Sequence, residues 1–182
     1  MKYSSSNKEF VHFYEHDIRF REILTSTEEH LDQLKNFPGV ISPDCSLYRD
    51  MPLNLQITNV YMSRAIGFFF WKNGIYSVPN VRWGDERSYT TLFFSEPFAF
   101  AGVDKHSIVS IGTYGCIRGQ ENKKHFKAGF GAMLDYLEPQ VVLVYGPMPK
   151  DIFDEYVGRT KFVQYDDWIK TKKQEAAFAH SH

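Results

Sequence analysis

The stretch Val141-Val142-Leu143-Val144-Tyr145, closed by Gly146-Pro147, decides the reading of the fold. It is a short, continuous apolar run with no alternation of polar and apolar positions. Such a run suits a strand covered on both faces, as in a parallel sheet, rather than a strand with one solvated face. Glycine followed by proline ends it. After it, Asp151 to Tyr156 reads as a short helix and Lys161 to Tyr165 as a last strand. Before it, Asn122 to Leu137 carries Phe126, Phe130, Met133, Leu134 and Leu137 at helical spacing, with Gly129 permitting close packing. Ser107 to Thr113 reads as a buried strand running into Tyr114-Gly115.

The same alternation continues towards the N-terminus. Ile75 to Val81 reads as a strand. Before it, a long helix opens at Pro52, whose missing N–H costs nothing in a first turn. Leu53, Ile57, Val60, Tyr61, Ala65, Phe68 and Phe69 predict one wide apolar face on this helix. Asn73-Gly74 ends it with residues tolerant of the left-handed conformation. Gly39 to Ser42 is a further short strand. Thr25 to Glu29 carries a capping-box signal for a helix reaching about Leu34. Glu86 to Asp104 is irregular and rich in Tyr, Phe and Ser, and is expected as a long loop or lid. Apolar runs separated by amphipathic helices predict an α/β fold with about five mostly parallel strands. Two arrangements are open, a doubly wound sheet or a partial (β/α) barrel. A full eightfold barrel needs roughly 200 residues or more, and the chain has 182. One α/β domain is expected over residues 1–170, followed by a flexible tail at 171–182. His180 and His182 in that tail carry no weight.

Composition narrows the function classes. Apolar residues are 43% and aromatic residues 16%, which is too apolar for a disordered chain. Lys and Arg total 21 against 22 Asp and Glu, so no bulk charge points to nucleic acid or an anionic membrane. Two cysteines form neither a disulfide framework nor a four-thiolate metal site. No run reaches the roughly 18 apolar residues of a membrane span. The N-terminal residues lack the apolar core of a secretory signal, which gives a cytoplasmic expectation with both thiols reduced.

In parallel α/β sheets ligands bind beyond the carboxyl ends of the strands. Read in turn, those ends present Asp44 and Arg49, then Asn80, Arg82, Trp83, Asp85 and Glu86, then Tyr114 and Cys116, then Tyr145. Arg82 is the least ordinary, because a charge at a buried strand end needs a partner. It either reaches a ligand phosphate or carboxylate, or pairs with Asp44, Asp50 or Asp85. Asp44, Asp85 and Glu86 are candidate acid/base groups or oxygen ligands for a cation such as Mg²⁺ or Mn²⁺, or else cap turns and helices. No cofactor is named by the sequence. Gln56, Asn59 and Ser63 form a polar stripe on the long helix, facing either a pocket or solvent. Lys123, Lys124, His125, Lys127 and Arg118 make a modest basic patch that either touches a nucleic-acid backbone or is simply solvated. Cys45 and Cys116 have no histidine at a neighbouring strand end. No CxxC, HExxH, GxSxG, GxGxxG or Walker loop occurs.

The strings FPGVISPDCSLYRDMP (37–52), NGIYSVPNVRWGDERS (73–88), IGTYGCI (111–117) and VVLVYGPMP (141–149), in this order, resemble the uncharacterised family gathered as domain of unknown function 4417. The resemblance runs from Phe10 to Asp166. Two positions depart from the family pattern: Cys45 stands in place of an aromatic, and Tyr114 stands where His is common. The resemblance implies an α/β protein of bacteria, phages and other mobile elements, in a bacterial or phage-infected cell, with no established activity.

Together these readings predict a protein that binds a nucleotide or phosphorylated small molecule, with its hydrolysis or transfer left open. Arg49 and Arg82 hold the anion, Asn80 and Tyr145 orient it, and Trp83 stacks on a base. Asp44, Asp85 and Glu86 supply the chemistry. The alternative is a non-catalytic module that binds a host protein, a signal nucleotide or nucleic acid. Aromatic excess at Phe68 to Trp71 and Phe93 to Phe100 suits either a homodimer or partner surface or an ample core.

Overall fold

The computed structural model describes residues 7–179, and side chains as far as Lys173; His180 and His182 lie outside these residues. Five strands are formed: β1 (Val40–Ile41), β2 (Ser77–Val78), β3 (Ile108–Gly112), β4 (Val141–Tyr145) and β5 (Lys161–Tyr165). They alternate with helices α1 (Arg21–Thr25), α2 (Leu31–Leu34), α3 (Leu53–Lys72), α4 (Glu86–Tyr89), α5 (Gln120–Leu137), α6 (Lys150–Phe153) and α7 (Trp168–Ala179). A helix therefore runs through most of the segment expected as a tail.

All strand pairs are parallel. β1 pairs with β2, and β3, β4 and β5 form a second sheet in that order. A single parallel bridge, Asn80 to Ser110, joins the two sheets, and another, Val11 to Val40, adds the N-terminal segment. Neighbours in space follow the order of the chain, without the reversal that creates a switch point in doubly wound sheets. The succession of strands is open and does not close into a barrel.

The largest core packs Val109 and Ile111 of β3 and Val142 and Val144 of β4 against the α5 side chains Phe126, Phe130, Met133, Leu134 and Leu137. These are the positions that the 3.6-residue period selects. Gly129 permits a close approach, but to the Trp83 indole rather than to another helix. A second core gathers Phe13, Phe20, Leu34, Val40, Phe70 and Ile75.

α3 starts and stops where Pro52 and Asn73-Gly74 predict, with Gly74 at φ 80°. Its orientation matches the expectation only in part: Val60 is buried and Leu53 and Ile57 pack beside it, but the face has turned to bring the polar stripe inward. The buried positions are Gln56, Val60, Ser63 and Phe70, whereas Tyr61, Phe68 and Trp71 are 69%, 60% and 64% exposed. The polar stripe faces inward because the loops beneath it carry polar groups that need partners. Gln56 donates to Asp85 and to the Met51 carbonyl, Asn59 to the Ser46 carbonyl, and the Ser63 hydroxyl meets that of Ser42 at 3.3 Å. Gly67 lets the helix lie directly on this layer; a Cβ there would stand 2.9 Å from Ser42 Cβ.

Two further expectations are corrected. No side-chain cap forms at Thr25 to Glu29. The segment breaks into α1, a 3₁₀ turn (Thr27–His30) and α2, and Thr27 Oγ1 instead donates back to the Ile23 carbonyl at 2.7 Å. The expected lid at 86–104 is largely structural. α4 opens it, Phe98–Phe100 form a buried 3₁₀ turn, and only residues 91–96 form a continuous exposed run.

Candidate functional site

The carboxyl ends of β1, β2 and β3 bring a connected polar network together. After β1, Ser42-Pro43 carries the chain to Asp44. After β2, Asn80 and Arg82 point to one side, while Val81 and Trp83 enter the core on the other, as period-two alternation requires. Asp44 sits between the two polar side chains. Its Oδ1 accepts from Asn80 Nδ2 at 2.8 Å and its Oδ2 from Arg82 Nη1 at 2.5 Å. Arg82 Nη2 continues to Cys116 Sγ at 3.3 Å, at the end of β3. Burial opposes the charge on Arg82, and Asp44 and Cys116 beside it more than offset this, so its pKa is raised. Asp44 is thus the partner that the buried arginine demanded, rather than Asp50 or Asp85.

A residue that sequence reasoning passed over completes the network. Tyr14, in the segment before α1, donates its hydroxyl to Asn80 Oδ1 at 2.9 Å and lies 2.6 Å from Ser110 Oγ. Its ring stacks on Tyr145 at 4.7 Å between centroids and 6° between planes, and it covers Gly112, where a Cβ would stand 2.9 Å from Tyr14 Cε1. Burial pushes the Tyr14 phenol well above its usual pKa, and Asp44 adds to this. His12 packs on the Tyr145 ring at 4.7 Å. The protein crowded round its partly exposed ring lowers its pKa, while Asp44 works the other way.

Arg64 was also missed. Reaching inward from α3, it donates to the carbonyls of Ala101 (3.0 Å), Asn80 (2.7 Å) and Ala99 (3.0 Å). It thereby ties the 98–101 segment to the strand end that carries Asn80. Burial without a paired carboxylate lowers its pKa to about 10.

Beside the network lies a cleft of about 410 Å³. Asp44 and Arg82 form part of its wall, with Tyr14, Tyr145 and Cys116; Tyr48, Arg49 and Tyr114 stand around it, and His16 and His125 also reach it. Tyr48 and Tyr114 are 55% and 50% exposed. Arg49 donates to Asn122 Oδ1 at 3.1 Å and, among the described residues, makes no ion pair. Cys116 therefore shares a cleft with histidines, although none lies at a strand end. Burial raises its thiol pKa, with Arg82 pulling the other way.

The expected site residues divide. Asp44, Arg49, Arg82, Trp83 and Tyr145 line the cleft. Asn80 is buried behind it, bound to Asp44 and Tyr14. Trp83 is only 8% exposed, and its indole packs on Phe126 and Phe130 at 5.1 and 6.5 Å, so its position is that of a core residue. The Tyr145 hydroxyl is held by the Trp168 backbone N–H at 3.0 Å. Asp85 and Glu86 do not join Asp44. Asp85 caps α4 by accepting from the Arg87 N–H, takes both Arg87 Nε and Nη2, and accepts from Gln56. Burial raises its pKa, but these hydrogen bonds outweigh it and hold the carboxyl below its usual value. Glu86 is exposed at the helix start. The physical reason is local: an aspartate preceding a helix is satisfied by the free N–H groups of its first turn before it can reach a neighbour. Among the described residues no group of three or more His, Cys, Asp or Glu side chains is placed to hold a metal ion.

Part of the basic patch on α5 is matched. Lys123 pairs with Asp151 at 2.9 Å and Lys127 with Glu155 at 2.6 Å. Among the described residues no helix is long and apolar enough to cross a membrane.

No solved structure matches the chain. It is similar to two phage proteins, each named "Gene 1 protein". One is from Mycobacterium phage L5, 30% identical over 146 residues, covering 80% of this chain and 61% of the phage protein. The other is from Mycobacterium phage D29, 29% identical over 145 residues, covering 80% of this chain and 51% of the phage protein. The chain thus spans between half and two thirds of the length of these relatives. The family described as Domain of unknown function (DUF4417) matches residues 1–166, and the chain belongs to it.

Proposed function

We propose that the chain binds a nucleotide or another phosphorylated small molecule in the cleft at the carboxyl edge of its sheet. The observation that carries this is the cleft itself: about 410 Å³, next to strand ends, with exposed aromatic rings and an arginine that pairs with no carboxylate among the described residues. Small-ligand pockets of parallel α/β folds sit at this edge and have volumes of roughly 300–1,000 Å³. Arg49 holds the anion. Arg82 and Asp44 form the wall beneath it, and their ion pair keeps the strand ends in place. Tyr48 and Tyr114 offer ring faces to a base, the part that Trp83 is too deeply packed to play. The reading is one of binding. Asp44 already has Asn80 and Arg82 on its two oxygens, and Asp85 and Glu86 point elsewhere.

Thermal unfolding against nucleotides and sugar phosphates, with and without Mg²⁺, tests the reading. A ligand at 100 times its Kd adds about 2.7 kcal/mol, which is roughly 5–10 °C for a chain of this size. Arg49→Ala abolishes the shift without lowering the ligand-free Tm. A panel without any shift refutes the proposal.

A further inference from the structure

The charges around the cleft narrow the ligand further. Two arginines line it, Arg49 and Arg82, and two carboxylates, Asp44 and Glu15. Arg82 is matched by Asp44 at 2.5 Å. Glu15 faces Arg19 at 3.6 Å and accepts the His16 backbone N–H at 3.1 Å. Arg49 is left as the one arginine of the cleft without a carboxylate among the described residues. A bound polyphosphate needs several cations, and it commonly brings Mg²⁺ held by one or two protein carboxylates. Here Asp44 is held on both oxygens by Asn80 and Arg82, and Glu15 faces Arg19 and the His16 N–H. Beside the two arginines, His16 and His125 reach the cleft, and Tyr48 and Tyr114, each about half exposed, offer it aromatic rings. Base–aromatic stacking contributes about 1–3 kcal/mol per base, and a phosphate on one guanidinium adds a charge-assisted hydrogen bond.

We infer that the cleft takes a ligand with a single phosphate on a planar ring system, a nucleoside monophosphate, and takes it without a divalent cation. Arg49 receives the phosphate and Tyr114 the base. The inference rests on the reading that this cleft binds a phosphorylated small molecule, and it names the class.

The test is isothermal titration of the full chain at physiological salt. The probes are the four ribonucleoside monophosphates, the matching nucleosides and triphosphates, and inorganic phosphate, each with and without Mg²⁺. One or more monophosphates bind tightest, the nucleoside and inorganic phosphate bind about tenfold or more weakly, and Mg²⁺ leaves the monophosphate affinity unchanged. Arg49→Ala reduces monophosphate binding to the level of the nucleoside and leaves nucleoside binding as it was. Tyr114→Ala weakens both. Both side chains are exposed, so both variants keep the parent Tm. A triphosphate that binds more tightly than the monophosphate with Mg²⁺ present, or inorganic phosphate that matches the monophosphate, overturns the inference and leaves the broader reading standing. No binding by any probe overturns both.

Discussion

Arg82 Nη1 and Asp44 Oδ2 stand 2.5 Å apart across the carboxyl ends of neighbouring strand segments, with 22% and 11% of their side chains exposed. The pair joins the loop after β1 to the loop after β2, and through Asn80 and Tyr14 it extends to β3 and the N-terminal segment. Removing one partner leaves an uncompensated, mostly buried charge, which costs about 3–5 kcal/mol. Asp44→Ala and Arg82→Ala are each expected to lower Tm by roughly 10 °C. The double variant loses clearly less than the sum. Chemical unfolding of the four proteins measures this, and strict additivity would remove the coupling.

Arg64 serves three carbonyls, one from each of its three guanidinium nitrogens. A lysine carries the charge but not the planar fork. Arg64→Lys is therefore expected to cost about 2 kcal/mol, because at least one buried carbonyl loses its donor. The urea midpoint reads the loss; a variant as stable as the parent contradicts the clamp.

Gly129 lies under Trp83, and a Cβ built there overlaps the indole. Alanine normally favours a helix interior over glycine by about 1 kcal/mol. Here the clash dominates, and Gly129→Ala is expected to destabilise by about 1–3 kcal/mol. Near-ultraviolet circular dichroism should report a displaced Trp83, and an unchanged signal with raised stability would contradict the packing.

Alkaline pH should weaken the fold. Burial pushes the Cys45 thiol from 9.0 up to about 12, and the Tyr14 and Tyr145 phenols are raised as well, chiefly by burial. In that window the folded chain holds protons that the unfolded chain has released, so unfolding stability falls as pH rises. The contribution of Cys45 is fully present below pH 9 and is lost between 9 and about 12, and about 2 kcal/mol of it has gone by pH 10.5. Urea unfolding at pH 7, 9 and 10.5 under reducing conditions tests this. In Cys45→Ala that part of the slope disappears, and a flat profile in the parent contradicts the argument.

The two thiols differ in access. Cys45 is 2% exposed in the second core, whereas Cys116 lines the cleft. A thiol reagent at pH 8 is expected to modify one cysteine in the folded protein, identified as Cys116 by peptide mass, and both in urea. A cleft ligand slows the first reaction. Equal rates at both thiols would place Cys45 at the surface and contradict the fold.

Much of the architecture was already legible along the chain. The limits of β4, β5 and α3, the inward face of α5 and the split between Asn80 and Arg82 on one side and Val81 and Trp83 on the other all follow from local rules: side-chain period, proline at a first turn, glycine at a left-handed stop. The same rules placed Asp44, Arg49, Arg82 and Tyr145 at one sheet edge, because parallel strands bring their carboxyl ends together. What they could not reach were choices between surfaces. α3 carries large side chains on more than one face, so its period predicts a helix but not its orientation; the polar loops beneath it drew Gln56 and Ser63 inward and left Phe68 and Trp71 outside. Asp85 was satisfied by its own helix and Arg87 and so was lost to the site. Tyr14 entered the site across 66 residues to Asn80 and 96 to Ser110, a juxtaposition no local pattern encodes. By itself the sequence determined the five strands, the long helices α3 and α5 and the edge that gathers the polar side chains, since these depend on neighbours in the chain. Only the tertiary structure decided which partner each buried polar group takes, because that depends on which surfaces the packed elements bring within hydrogen-bond reach.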